Sequence, residues 1–210
     1  MEYMSVKLPV NNLEIYQTKK GNSITTDTTK LVYMVLEKNK QEKKRVLELG
    51  AGNGIISIML ALKREKWEIT GVEIQKELLD LAIFNKKLTQ TNINFIRADL
   101  RDFISSRQKK FDMIITNPPY YAKGQGRISP IRERAWARHE LKCKMRDILD
   151  VIKTRMTKGG RSYIMYPLSR LKELEDKAKK VDLKITDKKL LKHKNEIKNK
   201  FITELRHVKN

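Results

Sequence analysis

Apolar residues along this chain fall into short runs separated by longer stretches of helical period. The runs RVLEL (45–49), WEITGVE (67–73), INFIRA (93–98), FDMIIT (111–116) and RSYIMY (161–166) predict strands. Between them, apolar spacing predicts helices near 54–64, 76–89, 100–106 and 131–157. Such alternation implies an α/β fold with a largely parallel sheet. Upstream, ITTDTTKLVYMVLEKNK reads as a helix with a Thr/Asp-rich start. Beyond Pro167, SRLKELEDKAKK predicts a further helix, and LKITDKKLLKH and KFITELRHV are suited to pair as an antiparallel hairpin on the sheet edge. No repeat or linker divides the chain, so one domain over 1–210 is expected.

One strand end is chemically odd. The run FDMII passes into Thr116-Asn117-Pro118-Pro119-Tyr120-Tyr121. Two consecutive prolines fix φ and remove backbone donors, so they continue neither a strand nor a helix. The first also pushes Asn117 into an extended conformation. The result is a stiff turn that aims an amide, free carbonyls and a phenol outward. Taken alone, a simple cap is the alternative.

Composition narrows the setting. At 210 residues and 24.7 kDa, with 40% hydrophobic residues spread throughout, the chain can bury a sizeable core. No apolar run approaches the ~20 residues of a bilayer span, and MEYMSVKLPVNN lacks the apolar segment of a secretory signal. A single cysteine, Cys143, excludes an internal disulfide and fits a reducing cytoplasm. The net charge of +21 attracts polyanions, although abundant lysine explains part of it. It explains less well the arginines of RISPIRERAWARHE, namely Arg127, Arg132, Arg134 and Arg138, crowded just after the proline turn. Basic residues beside a candidate pocket point to a phosphate backbone brought there, RNA or DNA rather than membrane. For any one of them a solvated charged face is the alternative. His139 has no second His or Cys to complete a metal site, and no metal is assigned.

The first strand runs into Glu48-Leu49-Gly50-Ala51-Gly52-Asn53-Gly54, a turn where a ligand can approach the backbone at a helix N-terminus. Glu73 ends the second strand, where a carboxylate can accept from both hydroxyls of a ribose. The spacing G-x-G-x-G with an acid before it differs from the G-x-G-x-x-G of pyrophosphate cofactors. It resembles motif I of class I S-adenosylmethionine-dependent methyltransferases. That resemblance implies a Rossmann-like fold with a mostly parallel seven-stranded sheet, a C-terminal antiparallel hairpin and helices on both faces. It also implies S-adenosylmethionine as cofactor, with Glu48, Gly50, Ala51, Gly52 and Gly54 around its methionine and ribose. Glu73 would hold the ribose and Asp99 the adenine amino group, with Ile74 and Leu100 also at the cofactor.

TNPPYY falls after strand four, where this family carries its (D/N)-P-P-(Y/F) motif, shared by enzymes that methylate adenine N6, cytosine N4 or glutamine amides. The resemblance makes Asn117, Pro118, Pro119 and Tyr120 catalytic. The N6 amine of adenine is a poor nucleophile because its lone pair is delocalised. The Asn117 side-chain oxygen and the Pro118 carbonyl can hold its two hydrogens and stabilise the developing charge. Tyr120 would stack on an unstacked base; Tyr121 stacks too or only packs.

Outside these motifs, NNLEIYQTKKGNSITTDTTKLVYMVL and Ala137-Arg138-His139-Glu140 resemble the bacterial tRNA1(Val) adenine-N6-methyltransferase family. Gln17 and Asp27 occupy its N-terminal signature positions, and residues 1–44 would form a strand-and-helix extension contributing to a cofactor lid, with Asp27 at the cofactor. The implied substrate is the adenosine 3′ of the tRNA anticodon, position 37, a loop base that is cheap to splay out. A cytoplasmic monomer is expected. Three other readings stay open. A release-factor glutamine methyltransferase shares NPPY but usually has an extra helical N-terminal domain, and only 44 residues precede Arg45. An rRNA or DNA adenine methyltransferase and a non-catalytic RNA-binding relative are the others.

Overall fold

Alternate residues of the central strands are buried on opposite faces of one sheet, which is why their sequences read as unbroken apolar runs. The computed structural model describes residues 2–19, 25–104, 109–120, 143–192 and 199–208. In chain order the elements are β1 (Tyr3–Lys7), β2 (Glu14–Thr18), α1 (Thr26–Lys38), β3 (Arg45–Leu49), α2 (Ile55–Lys63), β4 (Glu68–Glu73), α3 (Lys76–Leu88), β5 (Ile93–Arg97), β6 (Phe111–Thr116), α4 (Met145–Arg155), β7 (Met156–Pro167), α5 (Leu171–Lys179), β8 (Leu183–Leu191) and β9 (Lys200–His207). The sheet runs β5-β4-β3-β6-β7-β9-β8. Its first five strands are parallel, and β9 pairs antiparallel with both β7 and β8. This is the Rossmann-like arrangement with a C-terminal antiparallel hairpin that the alternation and the motif predict.

Met113, Ile115, Tyr163 and Met165 pack on one face with α1 and α2. Ile114, Ile164 and Tyr166 pack on the other with α4 and α5. The order reverses between β3 and β6, so the carboxyl ends of the strands on either side diverge into a crevice. Among the described residues, no helix is long and apolar enough to cross a membrane.

Three expectations are corrected. The helix near 100–106 is a short 3-10 turn, Leu100–Phe103, because Asp99 caps it tightly by accepting from Arg101 N. The helix drawn over 131–157 is α4, whose described part begins at Met145 and ends at Arg155; residues 131–142 lie outside the described residues. Strand β7 then starts at Met156, earlier than the run at 161 suggests. Its pairing with β6 slips between Phe111 and Met113, so Thr157–Gly160 bulge out. A Cβ at Gly160 would lie 2.5 Å from Met156 Cγ, so the close return of the chain requires glycine there. Strand β1, which forms a separate two-stranded sheet with β2, is an addition.

Candidate active site

The cleft at the carboxyl ends of β3, β4, β5 and β6 gathers most of the motif residues. Gly50, Gly52 and Asn53 line it from the glycine turn, Glu73, Ile74, Gln75 and Leu78 from the end of β4 and start of α3, and Ala98, Asp99 and Leu100 from the end of β5. Thr116, Asn117, Pro118 and Pro119 close it after β6, with Cys143 and Ile148 near the start of α4 and Thr18 from β2.

The turn is fastened to its neighbour strand. Gly50 N and Ala51 N both donate to Val72 O at 2.9 Å, and Gly52 N donates to Glu73 Oε2 at 2.9 Å. Glu73 Oε1 accepts from Gln75 N at 2.8 Å, so backbone donors on both oxygens set the direction of this carboxylate. At Gly52 the backbone adopts φ 56°, and a Cβ would meet no protein atom within 4 Å. The space over the turn is therefore open to a ligand. An open glycine cradle, a fixed carboxylate and a second acid at the far wall fit a nucleoside with ribose hydroxyls and a purine amine. S-adenosylmethionine is such a molecule.

Four motif residues, Glu48, Ala51, Gly54 and Tyr120, lie outside the cleft lining. Glu48 is buried and accepts from Ser57 N at 3.0 Å and from Ser57 Oγ, bracing β3 against the first turn of α2. Burial pushes its carboxyl up to about 8, the Ser57 bonds work in the opposite direction, and nearby Glu73 adds to the rise. Gly54 caps α2 at φ 83°, and a Cβ there would lie 2.7 Å from Phe95 Cζ. Asp99 lines the cleft while pairing with Arg101, whose Nε donates to Oδ1 at 2.9 Å.

At the proline corner, Thr116 Oγ1 donates to Leu49 O at 2.9 Å, tying the end of β6 to the end of β3. The Tyr120 hydroxyl donates to Asn117 Oδ1 at 2.7 Å. Lys200 Nζ stands over the Tyr120 ring, 4.6 Å from its centroid, and donates to Asp27 Oδ2 at 2.8 Å. Arg170 Nη1 donates to Tyr120 O at 3.4 Å from the other side. Burial raises the Tyr120 phenol above its ordinary value despite the Lys200 charge, so it stays protonated. Burial works against the Lys200 charge, but Tyr120 and Asp27 outweigh it and lift the ammonium above the usual lysine value.

Sequence reading missed the N-terminal hairpin's anchor. Buried Asn85 of α3 accepts from Tyr16 N at 2.8 Å and donates to Tyr16 O at 2.9 Å and to Asn53 O at 3.0 Å. One amide thus acts as a strand partner for β2 and ties it to the glycine turn, bringing Thr18 to the cleft. Gln17 is buried in β2, and Asp27 is buried in α1 against Lys200, outside the cleft lining. Tyr121, Arg127, Arg132, Arg134 and Arg138 lie outside the described residues. No group of three metal-ligating side chains occurs among the described residues.

Comparisons with known proteins agree with this geometry. The model of the family "Methyltransferase small domain" matches residues 23–137, more than half of the chain. The release factor glutamine methyltransferase of Lactococcus lactis is 41% identical over 96 residues, which is 46% of this chain and 34% of that protein. The tRNA1(Val) (adenine(37)-N6)-methyltransferase of Dyadobacter fermentans is 28% identical over 160 residues, 75% of this chain and 65% of that protein. The chain thus spans between a third and two thirds of the length of these relatives. The structure of the Thermus thermophilus 16S rRNA N2 G1207 methyltransferase with AdoMet and guanosine superposes at TM-score 0.67 and 18% identity, covering 99% of this chain and 50% of that one. Cleft, cradle and family model agree: the chain belongs to the methyltransferase small domain family of class I methyltransferases, whose methyl donor is S-adenosylmethionine.

Proposed function

We propose that this protein methylates N6 of an adenosine in tRNA, with the anticodon-loop adenosine at position 37 of tRNA1(Val) as its substrate. The observation that carries the reading is Asn117 Oδ1, oriented by the Tyr120 hydroxyl at 2.7 Å in the same cleft as the glycine cradle and Glu73. Glu73 would hold the ribose hydroxyls, Asp99 the purine amine, and Gly50 and Gly52 leave room for the rest of the cofactor. When bound, S-adenosylmethionine supplies an electrophilic methyl group. Asn117 Oδ1 and the Pro118 carbonyl accept the two hydrogens of the target amine and favour a pyramidal nitrogen. They also stabilise the positive charge that develops on it. Holding that nitrogen in line contributes the remainder through effective concentration. Tyr120 supplies an aromatic surface beside the amine, and the N-terminal hairpin, held by Asn85, covers the cofactor side.

A polyanionic substrate is supported by the charge of +21 and by the similarity to a tRNA1(Val) enzyme across three quarters of the chain. The similarity to release factor enzymes is stronger per residue but covers less than half of the chain. It keeps a protein glutamine as the second reading. Purified protein and labelled methyl donor are incubated separately with tRNA, total rRNA and release factor, and the modified nucleoside or residue is identified. N6-methyladenosine in tRNA is expected. Label in release factor alone sinks the proposal.

A further inference from the structure

The catalytic corner makes contacts with residues very distant in sequence. Lys200 opens β9, where it pairs with Pro167 of β7 and Leu191 of β8, at the same end of the sheet as the cleft. Its ammonium is largely buried, with 17% of the side chain exposed, and the Asp27 carboxylate it meets has 3% exposed. A lysine kept charged in such a place needs partners on every side. Asp27 supplies one from the first turn of α1. A second is Tyr120, whose ring face the ammonium covers, 4.6 Å from the centroid.

The chemistry of these groups fixes the direction of each hydrogen bond. An ammonium has three donors and no acceptor. Over Tyr120 it therefore binds the ring face, and the phenol keeps its own proton for Asn117, so the amide atom that faces it must be the oxygen. The series runs from Lys200 outward: to Asp27 Oδ2 on one side, and across the Tyr120 ring to its hydroxyl and Asn117 Oδ1 on the other. An asparagine side chain has two nearly isosteric orientations, and only one presents an acceptor. Reversed, it would present an NH2 group and repel an incoming amine. Oδ1 has two lone pairs, so accepting from Tyr120 leaves one for the substrate. From the opposite side, Arg170 bonds the Tyr120 carbonyl and is itself fixed by Glu173, whose Oε2 accepts from Nε at 2.9 Å.

We propose that Lys200, held by Asp27, is a positioning residue for methyl transfer: through Tyr120 it locks the Asn117 amide with its oxygen presented to the substrate amine. Neither Lys200 nor Asp27 touches the reacting atoms. The inference rests on the methyl-transfer reading of the corner, and it holds for whichever amine is methylated. It also gives the acid of the TTDTT segment a task that joins the N-terminal helix to the C-terminal hairpin.

The test uses the full chain with Lys200→Met, which keeps length and removes charge, and Lys200→Arg, which keeps charge. Kinetics are measured on the substrate the wild type modifies, together with S-adenosylhomocysteine binding by calorimetry and a crystal structure of each variant. In Lys200→Met, kcat is expected to fall by about tenfold or more with cofactor affinity unchanged, since misorientation of a catalytic group costs rate rather than ground-state binding. Its crystal structure should show the Tyr120–Asn117 bond broken, and Lys200→Arg should recover most of the rate. Wild-type kcat in Lys200→Met, or a corner unaltered in its structure, overturns the proposal. So does a loss of cofactor affinity in step with rate in both variants, which is how a mere structural strut would behave. Should Lys200→Met fail to fold, Asp27→Asn carries the same test with the same outcomes. Absence of wild-type transfer to tRNA removes the adenosine reading only, and the crystal structures still decide the role of Lys200.

Discussion

Single side chains in this cleft divide into those that face a substrate and those that hold the walls. On the proposed function, Asn117 belongs to the first kind. Asn117→Ala removes an acceptor for the amine while leaving the glycine cradle and Glu73 intact. Transfer should fall by about a hundredfold or more, in the range of losing one preorganised catalytic dipole, with S-adenosylhomocysteine affinity nearly unchanged. Retained turnover in a filter-binding assay would remove Asn117 from that role. Glu48 belongs to the second kind and offers a test by pH. Its folded-state value of about 8 lies above the 4.5 of an ordinary carboxyl, so the folded protein favours the protonated form. The stability this contributes is fully present below 4.5 and lost as pH rises through 8. Glu48→Gln cannot ionise, and its amide oxygen can still accept from Ser57. Its melting temperature should therefore gain on that of the wild type as pH rises from 4.5 to about 8 and hold that gain at higher pH, read by thermal denaturation across that range. Parallel curves for the two proteins would show that Glu48 is not held protonated by its burial.

At the level of elements, legibility followed the distance over which each feature is encoded. Strands β3, β4 and β6 are buried on both faces, so their apolar runs announce them without reference to anything else in the chain. Strand β1 is mostly exposed and lies in a two-stranded hairpin, so its sequence YMSVK carries no core-facing signal. The predicted helix over 131–157 takes in Met156 and Thr157 of β7, and residues 158–160 fall in no predicted element, because Thr157–Gly160 bulge from the ladder and interrupt the period. The site's motifs are similarly local: the glycine turn, Glu73, Asp99 and NPPY each end a strand and meet because parallel strands share a direction. The Asn85 clasp and the Lys200–Asp27 pair join residues far apart in sequence, and no local pattern points to them. The glycine turn itself contains two different demands. At Gly54 a Cβ would meet Phe95 at 2.7 Å and Ala82 Cβ at 3.1 Å, whereas at Gly52 it would meet nothing. Gly54→Ala should therefore destabilise the fold by about 1–3 kcal/mol through overpacking. Gly52→Ala should cost less stability but lose cofactor affinity, because the methyl group would occupy the cradle. Melting curves and calorimetric titration of S-adenosylhomocysteine on both variants separate the two effects, and equal loss of stability with unchanged affinity would refute the cradle.

For the whole molecule, charge and cleft make separable demands on the substrate. Forty-six basic residues against 25 acidic ones leave +21, far more than the cofactor alone needs. Surface pairs such as Lys76–Asp80 and Lys172–Asp176 join one charge of each sign and leave that excess in place. If the excess serves a phosphate backbone, association releases condensed counterions and its affinity depends steeply on salt. A cofactor enclosed by backbone donors and buried carboxylates should respond little over the same range, because its contacts are shielded from bulk ions. The expected result is that the dissociation constant for tRNA rises by about a hundredfold or more between roughly 50 and 200 mM salt. That for S-adenosylhomocysteine should change by less than about twofold under the same conditions. Fluorescence anisotropy with labelled tRNA and calorimetry with the cofactor product measure the two. A shallow slope for tRNA would mean that few phosphates are contacted and that the positive charge does not serve nucleic acid. The similarity to release factor enzymes would then carry the greater weight, because a glutamine side chain can reach the same Asn117 oxygen without a polyanion behind it. A steep slope joined to an unchanged cofactor constant would leave the two halves of the molecule with distinct tasks. The basic surface would capture a backbone, and the proline corner would select the amine.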